Sequence, residues 1–553
     1  MKRDLGLLET DLFDVVVVGG GVHGACAAMD AAMRGLRVAL IERKDFSSET
    51  SHNSLKIVHG GLRYFQHFDL RRIRQSIAER KFWLHAAPHM VAPLEFWVPL
   101  QGWGTRGAAA LWAGMRAHEI IGWDRNVGLV ANRELPRGAL RSSGAVTESL
   151  GDIWGSHPPP AAVWWDGQML DSDRLVLECV LAAAQHGAVV ANYVEARGVE
   201  MSGGKAVLAG LVVRDTLTMR DFLIRALNVV IAAGPWTGEL AGILDNERVL
   251  GRSRRHVRSF NIVTPQKLAG HAVAIGSERE SDAVVGKSNR LFFMTPWRNC
   301  SVIGTSHEPY QGAPENSGLR ADHVYEFVDE VASACPALEL SPSEVQYVYA
   351  GLTPAGPETS SPTRIRHADV IDHGAVGGTA GMYSIVGIKY TTARSVAQRA
   401  IDLVATRCGI AAESRSECVV LPGAQDYNST EALVARIQTE YTVNENDAED
   451  LAVAYGSRYR NVAELVGGNR DRDAVLDARV RYAAREEMAC KIEDIALRRV
   501  DWMPRGYLNS ERCRRIGRIL ASELGWDEAE ENQNYLSFVQ LLRNSVLGPA
   551  WLQ

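Results

Sequence analysis

The sequence lacks the cysteine pairs that a zinc site or a disulfide framework would need. Its 8 cysteines stand singly along 553 residues, so we expect reduced, mostly packed thiols in a cytoplasmic protein, and we predict no metal site. Long apolar runs are also missing, and none approaches the roughly 20 residues that span a bilayer. The first residues, MKRDLGLLETDLFD, carry acids where a signal peptide would be apolar. We expect a protein that is either free in the cytoplasm or peripheral on the inner face of the cell membrane.

An excess of positive charge is the third absence. A formal net charge of −6 and a pI near 6.2 argue against nucleic acid as the main partner, although they leave room for a local basic pocket for an anionic metabolite. The hydrophobic share of 46% and the charged share of 23% are ordinary for a soluble globular protein. The length exceeds that of a single hydrophobic core, so we expect two or three domains.

What the sequence does contain is a clear βαβ unit near its start. Val15–Val18 predicts a parallel strand buried on both faces, a small-residue helix follows from Ala25 to Arg34, and Val38–Ile41 predicts a second strand. Similar runs at 228–234 and 382–387 also end in glycine, as a central strand does when it delivers a loop to a ligand. We therefore predict a nucleotide-binding domain built from separated segments.

Helical patterns dominate after about residue 415. The predicted C-terminal helices are 432–441, 447–455, 479–499 and 510–524. The fold class is accordingly α/β: a Rossmann-like dinucleotide-binding domain, an interleaved α+β substrate domain and a helical C-terminal domain. The predicted boundaries are 12–80, 160–245 and 345–410 for the dinucleotide-binding domain, 81–159 and 246–344 for the substrate domain, and 415–553 for the helical domain.

Residues 19–24 read GGGVHG and match the G-x-G-x-x-G fingerprint between a predicted strand and helix. Gly19 would permit the tight turn, Gly21 would let the backbone approach a pyrophosphate, and Gly24 would let helix and strand pack closely. Amides at the helix N-terminus would then hold the phosphate charge. Glu42 ends the second strand, where an acid accepts hydrogen bonds from a ribose diol, which favours FAD or NAD over NADP.

The segment from Thr50 to Phe65 distinguishes FAD from NAD. It reads TSHNSLKIVHGGLRYF and resembles the T-S-x-x-S-x-K-L-I-H-G-G-x-R-Y-L signature of the FAD-dependent glycerol-3-phosphate dehydrogenases, in the D-amino-acid-oxidase-like flavoprotein superfamily. Further matching motifs follow in the same order, at 77–80, 87–89, 233–236, 295–297 and 303–305, with GIKYTTAR at 387–394 similar to the family's G-G-K-L-T-T-Y-R and VRYA at 480–483 similar to its C-terminal domain. The resemblance covers nearly the whole chain.

This resemblance implies an FAD-binding enzyme of glycerol metabolism that oxidises the secondary alcohol of a small anionic polyol or polyol phosphate to a ketone. Hydride would pass to flavin N5, and a quinone or another acceptor would reoxidise the flavin. His59 to Gly61 would set bare backbone against the isoalloxazine ring. His59 itself is equally well explained as a histidine with a purely structural role. The turn from Gly387 to Thr391 would lie at the flavin's pyrimidine edge. The implied FAD-contacting residues are Gly19, Gly21, Gly24, Glu42, Thr50, Ser51, Ser54, His59, Gly60, Gly61, Val194, Ala233, Gly234, Gly387, Lys389, Tyr390 and Thr391.

The substrate pocket departs from the family pattern. Arg63, Tyr64 and Lys389 are retained, but Thr353 stands where the family's G-x-R-P-L has an arginine. Asn261 replaces the histidine of K-G-S-H, and His307 replaces the acid of G-T-T-D. Arg366 is expected to supply a second arginine downstream. We expect Arg63 to bind the substrate anion, His307 to be the first choice for the proton acceptor, and Lys389 to be the second.

Several alternatives stay open. One is an oxidase of the same superfamily that acts on an amine, an amino acid or a hydroxy acid; another is a flavoprotein that no longer turns over. The sequence leaves a homodimer undecided. The basic run Arg252, Arg254, Arg255, His256 and Arg258 is either a solvated loop or a source of compensating charge. Trp97, Trp103, Trp112 and Trp123 indicate either ordinary packing or an apolar surface that docks on a membrane.

Overall fold

The computed structural model describes residues 1–102, 104, 107–202, 207–245, 249, 255–268, 270–280, 289–315, 317–355, 368–387, 389–467 and 473–548. Strands β1 to β19 are, in order, Leu12–Phe13, Val15–Val18, Val38–Ile41, Ile57–Val58, Val91–Pro99, Ala139–Arg141, Ala161–Met169, Val189–Ala191, Val194–Ser202, Val207–Asp215, Arg220–Ala226, Val229–Ile231, Arg255–Pro265, His271–Glu280, Asn289–Trp297, Cys300–Gln311, Tyr347–Pro354, Asp369–Asp372 and Met382–Val386. Helices α1 to α16 are Leu5–Thr10, Val22–Met33, Leu70–Ala86, Ala108–Ile121, Ser143–Leu150, Ser172–Gln185, Thr237–Leu244, Ala321–Ala334, Ala393–Cys408, Thr430–Glu440, Glu445–Tyr455, Tyr459–Ala463, Ala474–Glu486, Ile492–Asp494, Ser510–Leu524 and Glu528–Arg543.

A six-stranded sheet in the order β18-β19-β12-β2-β3-β8 forms the Rossmann-like layer, and all its pairs are parallel except β18 with β19. The four valines of β2 are fully buried because both faces of the sheet are covered. Val15 and Val17 pack with α2, α6 and α9, whereas Val16 and Val18 pack against the small sheet of β1, β11, β10 and β9. The predicted first strands are confirmed; the first helix begins earlier than predicted, at Val22.

A nine-stranded sheet in the order β17-β13-β16-β15-β14-β5-β7-β4, with β6 beside β7, forms the second layer. Along β13, Phe260 and Ile262 pack against α8, so the alternate residues Ser259 and Asn261 point to the opposite face. That face meets the loop after β3 of the Rossmann-like layer, because a Cβ on Gly351, the partner of Ser259, would lie 3.3 Å from Asn53. The domain boundaries stay a prediction. The pairing places β4, β7 and β17 in this sheet, although each lies within one of the three segments predicted for dinucleotide binding.

Helices α10 to α16 form the C-terminal part, and within its described residues every regular element is helical. The predicted single helix 479–499 is wrong. Helix α13 ends at Glu486, Met488 takes a left-handed backbone angle of +56° that an α-helix does not accommodate, and the chain resumes as α14 followed by a π-helical turn, Ile495–Arg499. Across the described ranges of the chain, no helix combines the length and the apolar character needed to cross a bilayer.

Candidate active site

The glycine fingerprint lies at the carboxyl end of β2, beside the ends of β3 and β12. Gly19 has a φ of +113°, and a Cβ there would lie 2.5 Å from the carbonyl oxygen of Ala232, so glycine is required both by backbone angle and by space. A Cβ on Gly24 would overlap the carbonyl oxygen of Gly19. Helix α2 begins at Val22, and Gly21, its N-cap, has no side chain that could satisfy the amides of the first turn.

Glu42 lies directly beside this turn. Its Oε2 accepts a 2.7 Å hydrogen bond from the amide of Gly20, and its Oε1 accepts one of 2.9 Å from the amide of Lys44. Burial raises the pKa of Glu42, although these two amides oppose the shift. The amide of Val194 donates to the carbonyl of Glu42 at 2.8 Å, so Val194 lies directly beside the predicted ribose contact.

These residues fit a bound dinucleotide. A Cβ added to Gly234, which follows Ala233 at the end of β12, would meet nothing within 4 Å, so open space borders the backbone there. Ser51 Oγ accepts from the amide of Val22 at 3.0 Å and would lie 3.1 Å from a Cβ added to Gly21. A helix N-terminus whose N-cap is glycine, beside bare backbone, is the arrangement that holds a pyrophosphate.

The loop before β4 is tied to the nine-stranded sheet. Thr50 Oγ1 donates to the carbonyl of Leu352 at 3.0 Å, and Ser54 Oγ accepts from the amide of Lys56 at 3.3 Å. Lys56 itself is buried, and its Nζ donates to Ser172 Oγ at 2.7 Å. The motif from Thr50 to Ser54 is therefore built against the second layer.

His59 and Gly60 are fixed by Asp166 on β7. Asp166 Oδ1 accepts from the amide of Gly60 at 2.6 Å and from Arg80 Nη1 at 2.5 Å, while Oδ2 accepts from His59 Nδ1 at 3.3 Å. Burial alone would raise the pKa of Asp166, but the hydrogen bond from His59 and the charge of Arg80 lower it. Asp166 therefore stays ionised and orients the His59 ring. A Cβ on Gly60 would overlap the Arg80 guanidinium.

The turn between β19 and α9 meets the same segment. Thr391 Oγ1 accepts from the amide of His59 at 3.1 Å, and the carbonyl of Thr391 accepts from Trp83 Nε1 at 3.0 Å. Tyr390 donates its hydroxyl to the carbonyl of Ser172 at 2.8 Å. A Cβ on Gly387 would overlap the ring of His23, so the fingerprint helix and this turn touch directly.

Lys389 has no hydrogen-bond partner for its buried Nζ among the residues that the structure describes. The nitrogen lies 4.0 Å from the centre of the Tyr64 ring. Burial, together with the positive charge of Arg63, lowers the pKa of Lys389 to about 7. Arg63 itself is exposed. This cluster joins a cationic side chain, an aromatic ring and an amine that titrates near neutral pH.

Three of the altered positions share the face of the nine-stranded sheet that points toward the Rossmann-like layer. Ser259 is paired with His307, and Ser259 Oγ lies 2.8 Å from His307 Nδ1. Asn261 is buried and accepts from Thr305 Oγ1 at 2.8 Å, and Thr353 Oγ1 donates to the carbonyl of Val257 at 3.4 Å. The predicted Arg366 lies outside the described residues.

Arg258, the member of the basic run nearest to Asn261, does not supply charge to this face. Arg252 and Arg254 lie outside the described residues. Arg258 lies on β13 between Val257 and Ser259 and therefore points to the opposite face, where it forms an ion pair with Glu308 and donates to the carbonyl of Gly318 at 2.6 Å. Its guanidinium therefore stabilises the sheet and the start of α8. For Arg258, both interpretations given from the sequence, a solvated loop and a source of compensating charge, are wrong.

Sequence reasoning missed Asp166, Trp83 and His23. Asp166 and Trp83 act through partners far away in the chain, so no local spacing indicates them. Only His23 carried a signal, because it lies inside the fingerprint next to Gly24. Burial lowers the pKa of His23 to about 4, and its Nε2 has no partner among the described residues, so it stays neutral beside Gly387.

Comparisons with known proteins identify the family. Residues 14–388 match the family described as FAD dependent oxidoreductase, and residues 414–531 match the C-terminal domain of alpha-glycerophosphate oxidase. The chain is 30% identical to the glycerol-3-phosphate dehydrogenase of Synechocystis sp., with 90% of each chain covered, and 28% identical to the mitochondrial glycerol-3-phosphate dehydrogenase of Homo sapiens, with 96% of this chain and 73% of that protein covered.

The structure is similar to that of the glycerol-3-phosphate dehydrogenase from Bacillus halodurans complexed with FAD. The TM-score is 0.75 at 21% identity, and 98% of this chain and 97% of that chain are covered, which shows a common fold. The family match and the 30% identical relative confirm the predicted family resemblance and FAD cofactor, and the structural similarity confirms the predicted fold class. The chain therefore belongs to the FAD-dependent oxidoreductase family, as an FAD-dependent enzyme similar to the glycerol-3-phosphate dehydrogenases.

Proposed function

We propose that the enzyme oxidises the secondary alcohol of a small polyol phosphate to a ketone. The observation that carries this proposal is the cluster of Arg63, Tyr64 and Lys389, which sets a cation and a neutral-range amine beside the turn from Gly387 to Thr391. The relatives named glycerol-3-phosphate dehydrogenase support a phosphorylated polyol as the substrate class. Thr353, which stands where the family has an arginine, favours a polyol phosphate other than glycerol 3-phosphate.

The reaction divides into a hydride and a proton. The hydride of the carbinol carbon would pass to the flavin N5 that bound FAD would supply, and a quinone is the proposed acceptor that would reoxidise the flavin. Arg63 binds the phosphate through charge-assisted hydrogen bonds. Lys389, in its neutral form, takes the hydroxyl proton, so the alcohol loses one hydride and one proton and becomes the ketone.

Lys389 has stronger structural support as the proton acceptor than His307, the first choice from the sequence. Its amine is buried without a hydrogen-bond partner among the described residues, and its pKa lies near the pH at which a general base is most effective. His307 is held by Ser259 on the face that carries Asn261 and Thr353. We propose that His307 contacts the substrate from this face and is the second choice for the proton.

Anaerobic reduction of the bound flavin tests the substrate class. The purified enzyme is mixed without oxygen with polyol phosphates, the matching unphosphorylated polyols, and amines or amino acids, and the loss of flavin absorbance near 450 nm is followed. We expect rapid bleaching by a polyol phosphate and slow bleaching by its unphosphorylated partner. Bleaching by amines alone, with release of peroxide in air, would instead establish the oxidase.

We further propose that an exposed apolar face docks on the membrane that holds the quinone. The face consists of Phe68, Leu70, Trp112, Ile120, Trp123 and Val127, whose exposed fractions range from 52% to 79%. These residues lie on α3, on α4 and in the segments that flank them, which contact the 3-10 turn holding Arg63 and Tyr64. Large apolar side chains, with Trp among them and the exposed Arg71 beside them, suit the interface of an anionic bilayer.

Sedimentation with phosphatidylglycerol vesicles tests this docking. We expect the wild type to sediment with the vesicles and Ile120→Glu/Trp123→Glu to stay in solution, with unchanged turnover of a water-soluble dye. Leu536→Glu on α16 is the matched control, because Leu536 is 51% exposed but lies on the C-terminal helices. Equal sedimentation of all three proteins would reject this face as the docking surface.

A further inference from the structure

The loop that carries Glu42 is held from outside the Rossmann-like layer. We propose that Arg498 and Arg499 of the C-terminal part are positioning residues for FAD. Through Asp45 they fix residues 42–47, here named the ribose loop, in the shape that receives the cofactor. This inference rests on the place of FAD at the fingerprint and is independent of the substrate.

Asp45 is fully buried and receives both arginines. Arg499 forms a two-pronged pair with it, with Nη1 donating to Oδ2 at 2.8 Å and Nη2 to Oδ1 at 2.9 Å. Arg498 Nε donates to Oδ2 at 2.8 Å. Planar, charge-assisted pairs of this kind fix orientation as well as distance, so the arginines determine where Asp45 lies.

The position of Asp45 sets the position of its neighbours in the ribose loop. Phe46 covers Gly20 so closely that a Cβ on that glycine would lie 2.5 Å from Phe46 Cδ1. The amide of Ser47 donates to the carbonyl of Gly20 at 3.0 Å, and the amide of Gly20 in turn donates to Glu42 at 2.7 Å. A shift of Asp45 therefore moves both the ribose contact and Gly20, the residue between Gly19 and Gly21 of the fingerprint.

The same C-terminal segment also holds the strand edge beside Glu42. Asn192 Nδ2 donates to the carbonyl of Met488 at 2.7 Å, and the hydroxyl of Tyr193 donates to Asp494 Oδ1 at 2.7 Å. The next residue, Val194, is bonded to Glu42 through its amide. Arg498 and Arg499 end a π-helical turn, a local form that recurs at functional sites.

Other contacts keep the C-terminal part docked when Asp45 is released. Arg174 on α6 pairs with Glu487 at 2.6 Å, and Arg458 pairs with Glu178, also on α6. In this second pair Glu178 is buried and Arg458 is half-buried, and Glu178 lies at the middle of α6. Loss of an arginine on Asp45 should therefore loosen the ribose loop more than the interface as a whole.

The rate of FAD release tests the inference on the holoenzyme. Free FAD is more fluorescent than bound FAD, so release after dilution is followed directly. Because the ordering of the loop by a charged hydrogen bond is lost, we expect Arg499→Met to release FAD about tenfold faster or more. Arg458→Met is the matched control and should stay near the wild-type rate, and Arg499→Lys, which keeps the charge without the fork, should lie between. Equal rates for Arg499→Met and Arg458→Met would overturn the inference.

Hydrogen exchange of the wild type gives a second test that needs no variant. Coupling between two sites is reciprocal, so FAD must protect the arginine segment if that segment orders the FAD loop. We expect amides in residues 487–499 to exchange more slowly in holoenzyme than in apoenzyme, together with those in 42–47. Protection of 42–47 with no change in 487–499 would overturn the inference while leaving FAD at the fingerprint.

Discussion

The Nζ atom of Lys389 lies 4.0 Å from the centre of the Tyr64 ring, and no hydrogen-bonding group among the described residues reaches it. An amine left in this state is unusual, because a buried ammonium without partners is strongly unfavourable. The structure lowers that penalty by favouring the neutral form, since burial and Arg63 bring the pKa to about 7. The nitrogen of the neutral amine can accept a hydrogen bond, and the substrate hydroxyl would donate it.

The pH dependence of the reaction follows from this pKa. The neutral amine accepts the proton, so kcat/KM should rise with pH through about 7 and level off above it. Lys389→Met should lower kcat about 10²-fold or more and remove this rise. Lys389→Arg distinguishes charge from basicity, because arginine stays protonated: activity near that of the wild type in this variant would show that Lys389 only supplies charge.

The fingerprint gives a steric prediction for FAD. Gly24→Ala places a methyl group on the carbonyl of Gly19, a backbone atom that has no room to move away while β2 and α2 stay packed. We expect purified Gly24→Ala to carry little or no flavin, measured as the absorbance ratio at 450 to 280 nm. Gly198→Ala on β9 is the control, since nothing lies within 4 Å of the added methyl group. Full flavin content in Gly24→Ala would contradict the assignment of the pyrophosphate site.

Arg63 gives the prediction for the substrate anion. Arg63→Ala removes a charge-assisted hydrogen bond to the phosphate, so KM for a polyol phosphate should rise at least about tenfold. KM for the unphosphorylated polyol should change little, because that substrate never made the contact. Steady-state kinetics with both substrates check this, and an equal rise for both would mean that Arg63 shapes the pocket instead of binding the anion.

Much of the fold follows from local patterns. The buried valines of β2, the fingerprint and the small-residue helix specify a βαβ unit because strand period, turn chemistry and helix propensity agree there. The predicted helix 479–499 failed for the opposite reason. The helix ends where Met488 takes a left-handed backbone angle, and Glu487, the residue before it, forms a buried pair with Arg174, a partner far away in the chain that no local pattern indicates.

The site could be predicted only where motif and geometry coincide. The motifs single out His59 and Thr391, and the structure brings them together, because the amide of His59 donates to Thr391 Oγ1. Asp166 could not be identified, because it reaches Gly60 across 106 positions in the chain and no spacing rule connects them. Arg258 shows that a basic run does not by itself predict a basic pocket. Strand alternation turns its side chain away from the pocket, where it pairs with Glu308.

Thr353 gives a prediction about substrate choice. Its side chain lies on the face shared with His307. It brings no positive charge to a phosphate, and its hydroxyl already donates to the carbonyl of Val257. We expect the wild type to use glycerol 3-phosphate poorly and Thr353→Arg to lower KM for it. The gain should be small, because no second set of contacts holds a new guanidinium in place. Thr353→Gln, which adds length without charge, is the control. Efficient use of glycerol 3-phosphate by the wild type would show that Thr353 does not weaken the binding of this substrate.

His307 gives the last prediction, because its hydrogen bond to Ser259 separates two roles for the imidazole. His307→Gln keeps a polar group that can bond to Ser259 Oγ but removes the ring nitrogen that could take a proton. If Lys389 is the acceptor, this variant should raise KM with a fall in kcat below about tenfold, and the rise of kcat/KM through pH 7 should persist. Ser259→Ala should have a similar effect, since it releases the ring without removing it. If His307→Gln instead lowers kcat about 10²-fold and abolishes the pH dependence while flavin content is unchanged, the proton passes to His307 and Lys389 serves only to hold charge.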